Sequence, residues 1–322
     1  MAGLQAHILR FEAEATSDIH LRHHKGSALR GAFLHALRTD FCTNPSLASC
    51  HACSIHTSCP VCFLVSTIDE DGGRGSDAPR PYIIEPPVDA RELYRPGDPL
   101  VFNIVLFSRA LSMFPYVVIA AQRMGEFGLG IGRGRFALRE VWAVEPVAGV
   151  QQRVLRRGDD LVKVPDLPIG HKQVFEVARH LECGASENLK VRFKTPLRLV
   201  TNGQLVHRLS FATLMRRLFE RLTVLWDAYA GEPLALDFAD VLACAEQIGV
   251  SYDNTRWLDL DRYSTRQGRP LPMGGLVGEI AFQGDLAPFL PWLQWGTITH
   301  VGKYAVMGNG WYELGQGTGN RE

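Results

Sequence analysis

Five of the seven cysteines lie between Cys42 and Cys62, and four of them form two C-x-x-C pairs, Cys50-His-Ala-Cys53 and Cys59-Pro-Val-Cys62. A C-x-x-C turn presents two thiolates to one tetrahedral ion, so two such turns complete the shell of a zinc ion. Cys42 is a fifth candidate, which leaves one sulfur surplus, and His51 and His56 are additional ligand types in the same stretch. The plain alternative is a set of free cysteines in a core, but buried cysteines do not ordinarily cluster at this spacing. An iron–sulfur cluster is a lesser alternative. Four thiolates leave no open position for substrate, so the expectation is a structural zinc knuckle spanning 42–62.

An odd cysteine count argues against a disulfide framework. The first residues lack a charged segment followed by an apolar one, and the longest apolar run, Phe114–Ala121, is too short for a bilayer. The expectation is therefore a cytoplasmic chain with no membrane partner. With 34 basic and 34 acidic residues among 322 the net charge is zero, which argues against indiscriminate binding of polyanions. A local basic patch can still carry RNA contacts.

Apolar periodicity predicts strands at 4–15, 81–86, 100–107 and 136–144, with helices at 28–38 and 115–124. That order is the β-α-β-β-α-β of a ferredoxin-like (RRM-like) fold. Glu70–Ala78 reads as a mobile loop, and 146–168 as a linker. The order recurs loosely in strands at 189–199, 250–263 and 273–282, helices at 210–230 and 286–295, and a last strand at 311–314. Asp285 is placed to cap the helix at 286. The fold class expected is α+β, two tandem ferredoxin-like domains over 1–148 and 149–322, with the cysteine knuckle inserted in the first.

His20, His23 and His24 precede the first helix, and His35 lies on it, near Arg22, Lys25 and Arg30. Histidine titrates near neutrality and can move the protons of a ribose 2′-hydroxyl and a leaving 5′-oxygen. A neighbouring Lys or Arg would stabilise phosphorane charge. For any single histidine a solvated loop is the commoner explanation. Phe127–Arg135 alternates glycines with Arg133 and Arg135, which suits a close backbone approach to phosphate or a tight turn into a strand. His300–Tyr312 carries Gly302, Lys303, Tyr304, Gly308, Gly310 and Trp311, offering charge, stacking surfaces and tight turns. Arg216, Arg217 and Arg221, with Arg208 and Lys194, could form a basic stripe, though such charges are more often a solvated helix face.

Three segments together resemble the CRISPR-associated repeat-processing endoribonucleases of the RAMP superfamily. They are Gly26–Arg38 with the cysteine segment and Arg80–Pro87, then Phe193–Leu199 followed by Leu209–Tyr229, and last Val301-Gly-Lys through Gly308-Asn-Gly-Trp-Tyr-Glu-Leu314. The resemblance implies tandem ferredoxin-like folds and metal-independent cutting of precursor CRISPR RNA within its repeats. The attacking group would be the 2′-hydroxyl, leaving a cyclic phosphate and a 5′-hydroxyl. It maps the catalytic histidine to His35 or to His24 and His23, with Lys25 beside them. It assigns RNA contact to the loop Gly302–Gly310, and it implies CRISPR repeat RNA as partner, alongside other effector subunits. The Met307-Gly-Asn-Gly sequence departs from the family's more glycine-rich loop, which leaves room for reduced or lost activity. Two other functions compete. A non-catalytic RAMP subunit holding crRNA would not need the histidines, and a zinc-stabilised protein-interaction module would not need a basic, aromatic-bearing surface.

Overall fold

The protein is described by a computed structural model covering residues 3–22, 24–47, 49–66, 79–146, 148–185, 188–231, 233–234, 238–264 and 269–316. The loop expected at Glu70–Ala78 lies outside the described residues. Two compact units emerge, Met1–Ile169 with Val224–Glu232, and Gly170–Thr223 with Pro233–Glu322.

The first unit begins with β1 (Ala6–Ala15), the short β2 (Ile19–His20) and α1 (Lys25–Phe41). There follow β3 (Tyr82–Glu85), the short β4 (Leu93–Tyr94), β5 (Pro99–Phe107), α2 (Phe114–Phe127), β6 (Phe136–Glu145) and β7 (Val150–Arg156). The antiparallel sheet runs β3-β5-β1-β6-β7. Without β7 this is the strand order of the ferredoxin-like fold, as the element order anticipates. Central β1 pairs on both edges, with Phe11 opposite Phe102 on one neighbour and Val141 on the other. Helix α1 lays Leu29, Phe33, Ala36 and Leu37 onto the sheet at helical spacing. Pro115 at the first turn starts α2 and Gly128, at φ +85°, ends it.

Residues 149–169 were expected to open the second domain, yet they belong to the first unit. Strand β7 pairs with β6 along Glu140–Glu145, and Ala6 exchanges backbone hydrogen bonds with Ile169. The polar edge of β7 hid it, because an edge strand facing solvent needs little apolar periodicity.

The second unit holds α3 (His171–Ala185), β8 (Asn188–Leu197), the two-residue strands β9 (Val200–Thr201) and β10 (Gln204–Leu205), α4 (Phe211–Tyr229) as far as Thr223, and α5 (Phe238–Ala245). Next come β11 (Gly249–Asp253), β12 (Arg256–Leu258), β13 (Asp261–Ser264), β14 (Arg269–Pro272), β15 (Gly275–Gln283), α6 (Leu290–Thr299) and β16 (Tyr312–Gln316). Its main sheet runs β11-β15-β8-β16, with β12 continuing along β15. This again is the ferredoxin-like order. The single strand expected at 250–263 is broken into β11, β12 and β13. The kink sits where Gly278, at φ +106°, lies against the Asn254 carbonyl and leaves no room for a side chain. Asp285 does not cap the helix that follows. A 3-10 turn at Ala287–Phe289 intervenes, and α6 starts at Leu290 without a side-chain cap. Among the described residues no helix is long and apolar enough to cross a membrane.

Candidate functional site

The cysteine segment folds as a 3-10 turn at Cys50–Ala52 and a π turn at Cys62–Ser66, with Ser49 capping the first through the His51 N–H. Cys42, Cys50, Cys53, Cys59 and Cys62 all line one cavity of about 80 Å³, with Arg38 and Asn44. The Asn44 side-chain amide donates to the Cys53 sulfur at 3.4 Å. A backbone N–H and that amide hold the Cys53 thiol below its usual pKa, whereas burial and then the neighbouring thiols Cys50 and Cys59 push Cys62 up. The donor set therefore fits a soft cation that would absorb shared thiolate charge. Among the described residues no three Cys, His, Asp or Glu side chains form a ready coordination shell, so the sulfurs converge without closing. The ring of His56 faces the Cys53 carbonyl at 3.0 Å.

Helix α1 separates the candidate histidines. The Nδ1 of His24 accepts from the Ser27 N–H at 3.2 Å, so this residue caps the helix. His35 lies eleven residues further on, about 16 Å along the axis at 1.5 Å per residue, so the two cannot serve one phosphate. His35 is exposed, with its ring edge-on to Phe127 at 5.0 Å. His23 falls outside the described residues.

Lys25 is buried. Its ammonium donates to Asp89 Oδ1 at 2.6 Å, to the Asp89 carbonyl at 2.6 Å and to the Tyr94 hydroxyl at 2.9 Å. All three donor hydrogens have acceptors inside the fold. The structure thus makes Lys25 an anchor between α1 and the loop before β4, rather than a group presented to substrate.

Phe127 leads directly into the glycine loop, and the loop is pinned onto the segment before α1. Ile131 N–H bonds the His20 carbonyl at 2.9 Å, and Arg135 N–H bonds the Ser17 hydroxyl at 2.8 Å. Gly130 and Gly134 lie against the His20 and Asp18 carbonyls, where a Cβ would overlap them. The glycines are needed for this close approach. It carries Arg133 and Arg135, both exposed, to the same edge as exposed His20 and Arg22. Sequence positions more than a hundred residues apart are thereby gathered beside the mouth of α1.

In the second unit the glycine-rich loop after α6 folds back on β8. Thr195 donates to the Gly308 carbonyl at 2.6 Å and accepts from Trp311 N–H at 2.9 Å. Lys303 N–H bonds the Arg198 carbonyl, and Gly310 N–H the Pro196 carbonyl. Gly308 and Gly310 are buried and Gly302 is half-buried, all at positive φ, so they serve the turn itself. The Tyr304 hydroxyl donates to the Pro272 carbonyl at 3.2 Å. Lys303 is exposed, and the Lys194 ammonium sits 3.6 Å over the Trp311 ring. Of the expected basic stripe, Arg217 pairs with Glu220 and Arg221 donates to the Thr299 carbonyl at the end of α6, whereas Arg208 and Arg216 are exposed. The sequence reading missed a platform beside this loop, where the rings of exposed His207 and of Trp257 lie 4.3 Å apart and the Arg198 guanidinium stands 5.8 Å over Trp257. The only sequence signal was an isolated tryptophan in a polar stretch.

Residues 4–167, half of the chain, match the family model AF_1859_N, described as an N-terminal domain. Residues 191–312 match the model of the CRISPR-associated endoribonuclease Cas6. No curated protein matches the sequence. Among solved structures, the chain is similar to a partial Cas6-RT-Cas1–Cas2 complex, with a TM-score of 0.61 at 12% identity over 98% of this chain and 47% of that one. It is also similar to a Cas6 product complex, with a TM-score of 0.56 at 15% identity over 96% and 99% of the two chains. For Thermus thermophilus Cas6 the TM-score is 0.54 at 14% identity over 98% and 100%. The chain spans less than half of the first of these, and at such identities the likeness is one of fold. The chain thus belongs to the AF_1859_N family through residues 4–167, and its residues 191–312 match the Cas6 endoribonuclease model.

Proposed function

We propose that this chain cuts precursor CRISPR RNA within its repeats, by attack of the 2′-hydroxyl on the adjacent phosphate. The observation that carries the reading is the exposed imidazole of His35 against Phe127, the residue from which the loop bearing Arg133 and Arg135 departs. The Cas6 domain match in the second unit supports the same chemistry. In the step, the 2′-oxygen forms a bond to phosphorus as the bond to the 5′-oxygen breaks. The 2′-proton passes to a base, and a proton from an acid reaches the departing 5′-oxygen. The products are a 2′,3′-cyclic phosphate and a 5′-hydroxyl. His35 serves as one of the two proton carriers, and the loop arginines balance the phosphorane charge. No metal enters this step. RNA contacts extend to Arg22, Lys194, Lys303 and Tyr304, with other CRISPR effector subunits as further partners in the cytoplasm.

The five-cysteine cavity is proposed as a structural zinc site, held by four of Cys42, Cys50, Cys53, Cys59 and Cys62. Zinc there would tie the insert to the first unit and supply folding energy.

A repeat RNA carrying a 2′-deoxy nucleotide at the scissile position tests the chemistry. Binding is expected to persist and cutting to disappear; cleavage at the normal rate would overturn the mechanism. His35→Ala is expected to slow single-turnover cleavage by about a hundred-fold to ten-thousand-fold, the usual worth of a general acid or base. Normal cleavage by this variant would remove His35 from the site.

A further inference from the structure

Only some arginines of the first unit are ion-paired. Arg10, Arg123, Arg139 and Arg156 each face a carboxylate within 3.6 Å. Arg30, Arg80 and Arg109 are among those that face none of the described carboxylates, as are Arg22, Arg133 and Arg135. The Arg30 Nε and one terminal nitrogen of Arg80 are buried and have no hydrogen-bond partner among the described residues.

These three side chains converge. Arg30, on α1, hydrogen-bonds the buried Tyr82 hydroxyl of β3, and Arg80 acts electrostatically on the same hydroxyl and on Arg30. Tyr229 bonds the Pro79 carbonyl next to Arg80, and the Arg109 guanidinium stands 5.8 Å over the Tyr229 ring and 5.3 Å over that of Phe63. Burial, with Arg30 adding to it, lowers the Arg80 pKa from its usual value, so the pair is held together at an electrostatic cost. A half-buried guanidinium with a buried N–H left unpaired carries a cost that a ligand oxygen would relieve. Guanidinium forks match phosphate oxygens in geometry as well as charge.

We infer that Arg30, Arg80 and Arg109 form a phosphate cradle for the RNA backbone, beside the cysteine insert and separate from the glycine loop of Arg133 and Arg135. This rests on the RNA reading above and adds Arg80 and Arg109 to the residues that bind.

Two measurements on the full chain test it. In a thermal melt, sodium tripolyphosphate is expected to raise the Tm of the wild type and of Arg139→Gln, whose arginine is paired with Glu14, but not of Arg80→Gln/Arg109→Gln. Equal stabilisation of all three proteins overturns the cradle. In fluorescence anisotropy with a labelled twelve-nucleotide oligouridylate, the double variant is expected to flatten the slope of log affinity against log salt by about 1.4, two contacts at about 0.7 each. Arg109→Gln alone, at an exposed position that cannot unfold the protein, should flatten it by about 0.7. An unchanged slope in both variants overturns the proposal, as does arginine-dependent binding of oligo-aspartate without binding of the RNA. If the wild type never cuts repeat RNA while both arginine effects appear, the cleavage reading fails and the cradle stands.

Discussion

Replacing Lys25 separates structure from chemistry at the entrance to α1. In Lys25→Ala the Asp89 carboxylate and the Tyr94 hydroxyl lose an ammonium that now donates at 2.6 and 2.9 Å, and the buried stem leaves a void. Breaking a fully buried ion pair typically costs about 3–5 kcal/mol. Asp89 keeps 44% of its side-chain surface exposed and can rehydrate, so a loss of about 2–3 kcal/mol is the reasonable figure. For a unit of this size each kcal/mol moves the melting temperature by about 2–4 °C, which predicts a fall of about 4–12 °C. Asp89 provides a pH signature. Burial pushes its carboxyl up, but hydrogen bonds from Lys25, the Arg91 N–H and Tyr94 outweigh that and hold it below the usual carboxylate value. A depressed folded pKa stabilises the native state above the unfolded value, near pH 4, and that contribution is lost as the pH falls through the folded pKa. The wild type should therefore lose this increment below about pH 4, and the variant, left with the Arg91 N–H and Tyr94 donors, should show a smaller one. The assay is thermal melting across pH 2–7, with single-turnover cleavage measured in parallel well below the variant's Tm. In the folded variant, cleavage should stay within a few-fold of wild type. An unchanged Tm together with a hundred-fold loss of cleavage would refute the anchor and return Lys25 to the chemistry.

Other perturbations probe the remaining elements. Gly310→Ala places a Cβ onto the Val301 carbonyl at φ +68°, and should cost at least about 1–3 kcal/mol in the second unit, read by denaturant unfolding. Purified protein should hold about one zinc per chain from the four-thiolate stoichiometry. Cys53→Ser or Cys59→Ser should lower Tm and zinc content together, whereas zinc-free wild type by elemental analysis would remove the site. Lys303→Glu, or Arg133→Glu with Arg135→Glu, should weaken RNA binding and flatten its salt dependence; unchanged titrations would place the RNA elsewhere.

The order of elements was readable in the chain because periodicity is local. Leu29, Phe33, Ala36 and Leu37 recur at helical spacing, and the two β-α-β-β-α-β runs follow from such patterns. The gathering of five sulfurs was likewise legible, since C-x-x-C pairs bring their own thiols together over a few residues. Everything decided by contacts between distant residues was not legible. Strand β7 exists because β6 offers it an edge, and the break after β11 follows from a close approach of Gly278 to Asn254. Lys25 read as a reactive loop residue until Asp89, 64 positions away, accepted its hydrogens. The glycines of both loops looked like phosphate-binding backbone, but their missing side chains make room for the His20 and Val301 carbonyls. Which arginines find a carboxylate and which do not is settled in the same way. A sequence fixes which charges exist, whereas only the packed fold determines which of them meet, because that pairing depends on distances through space and the sequence records only distances along the chain.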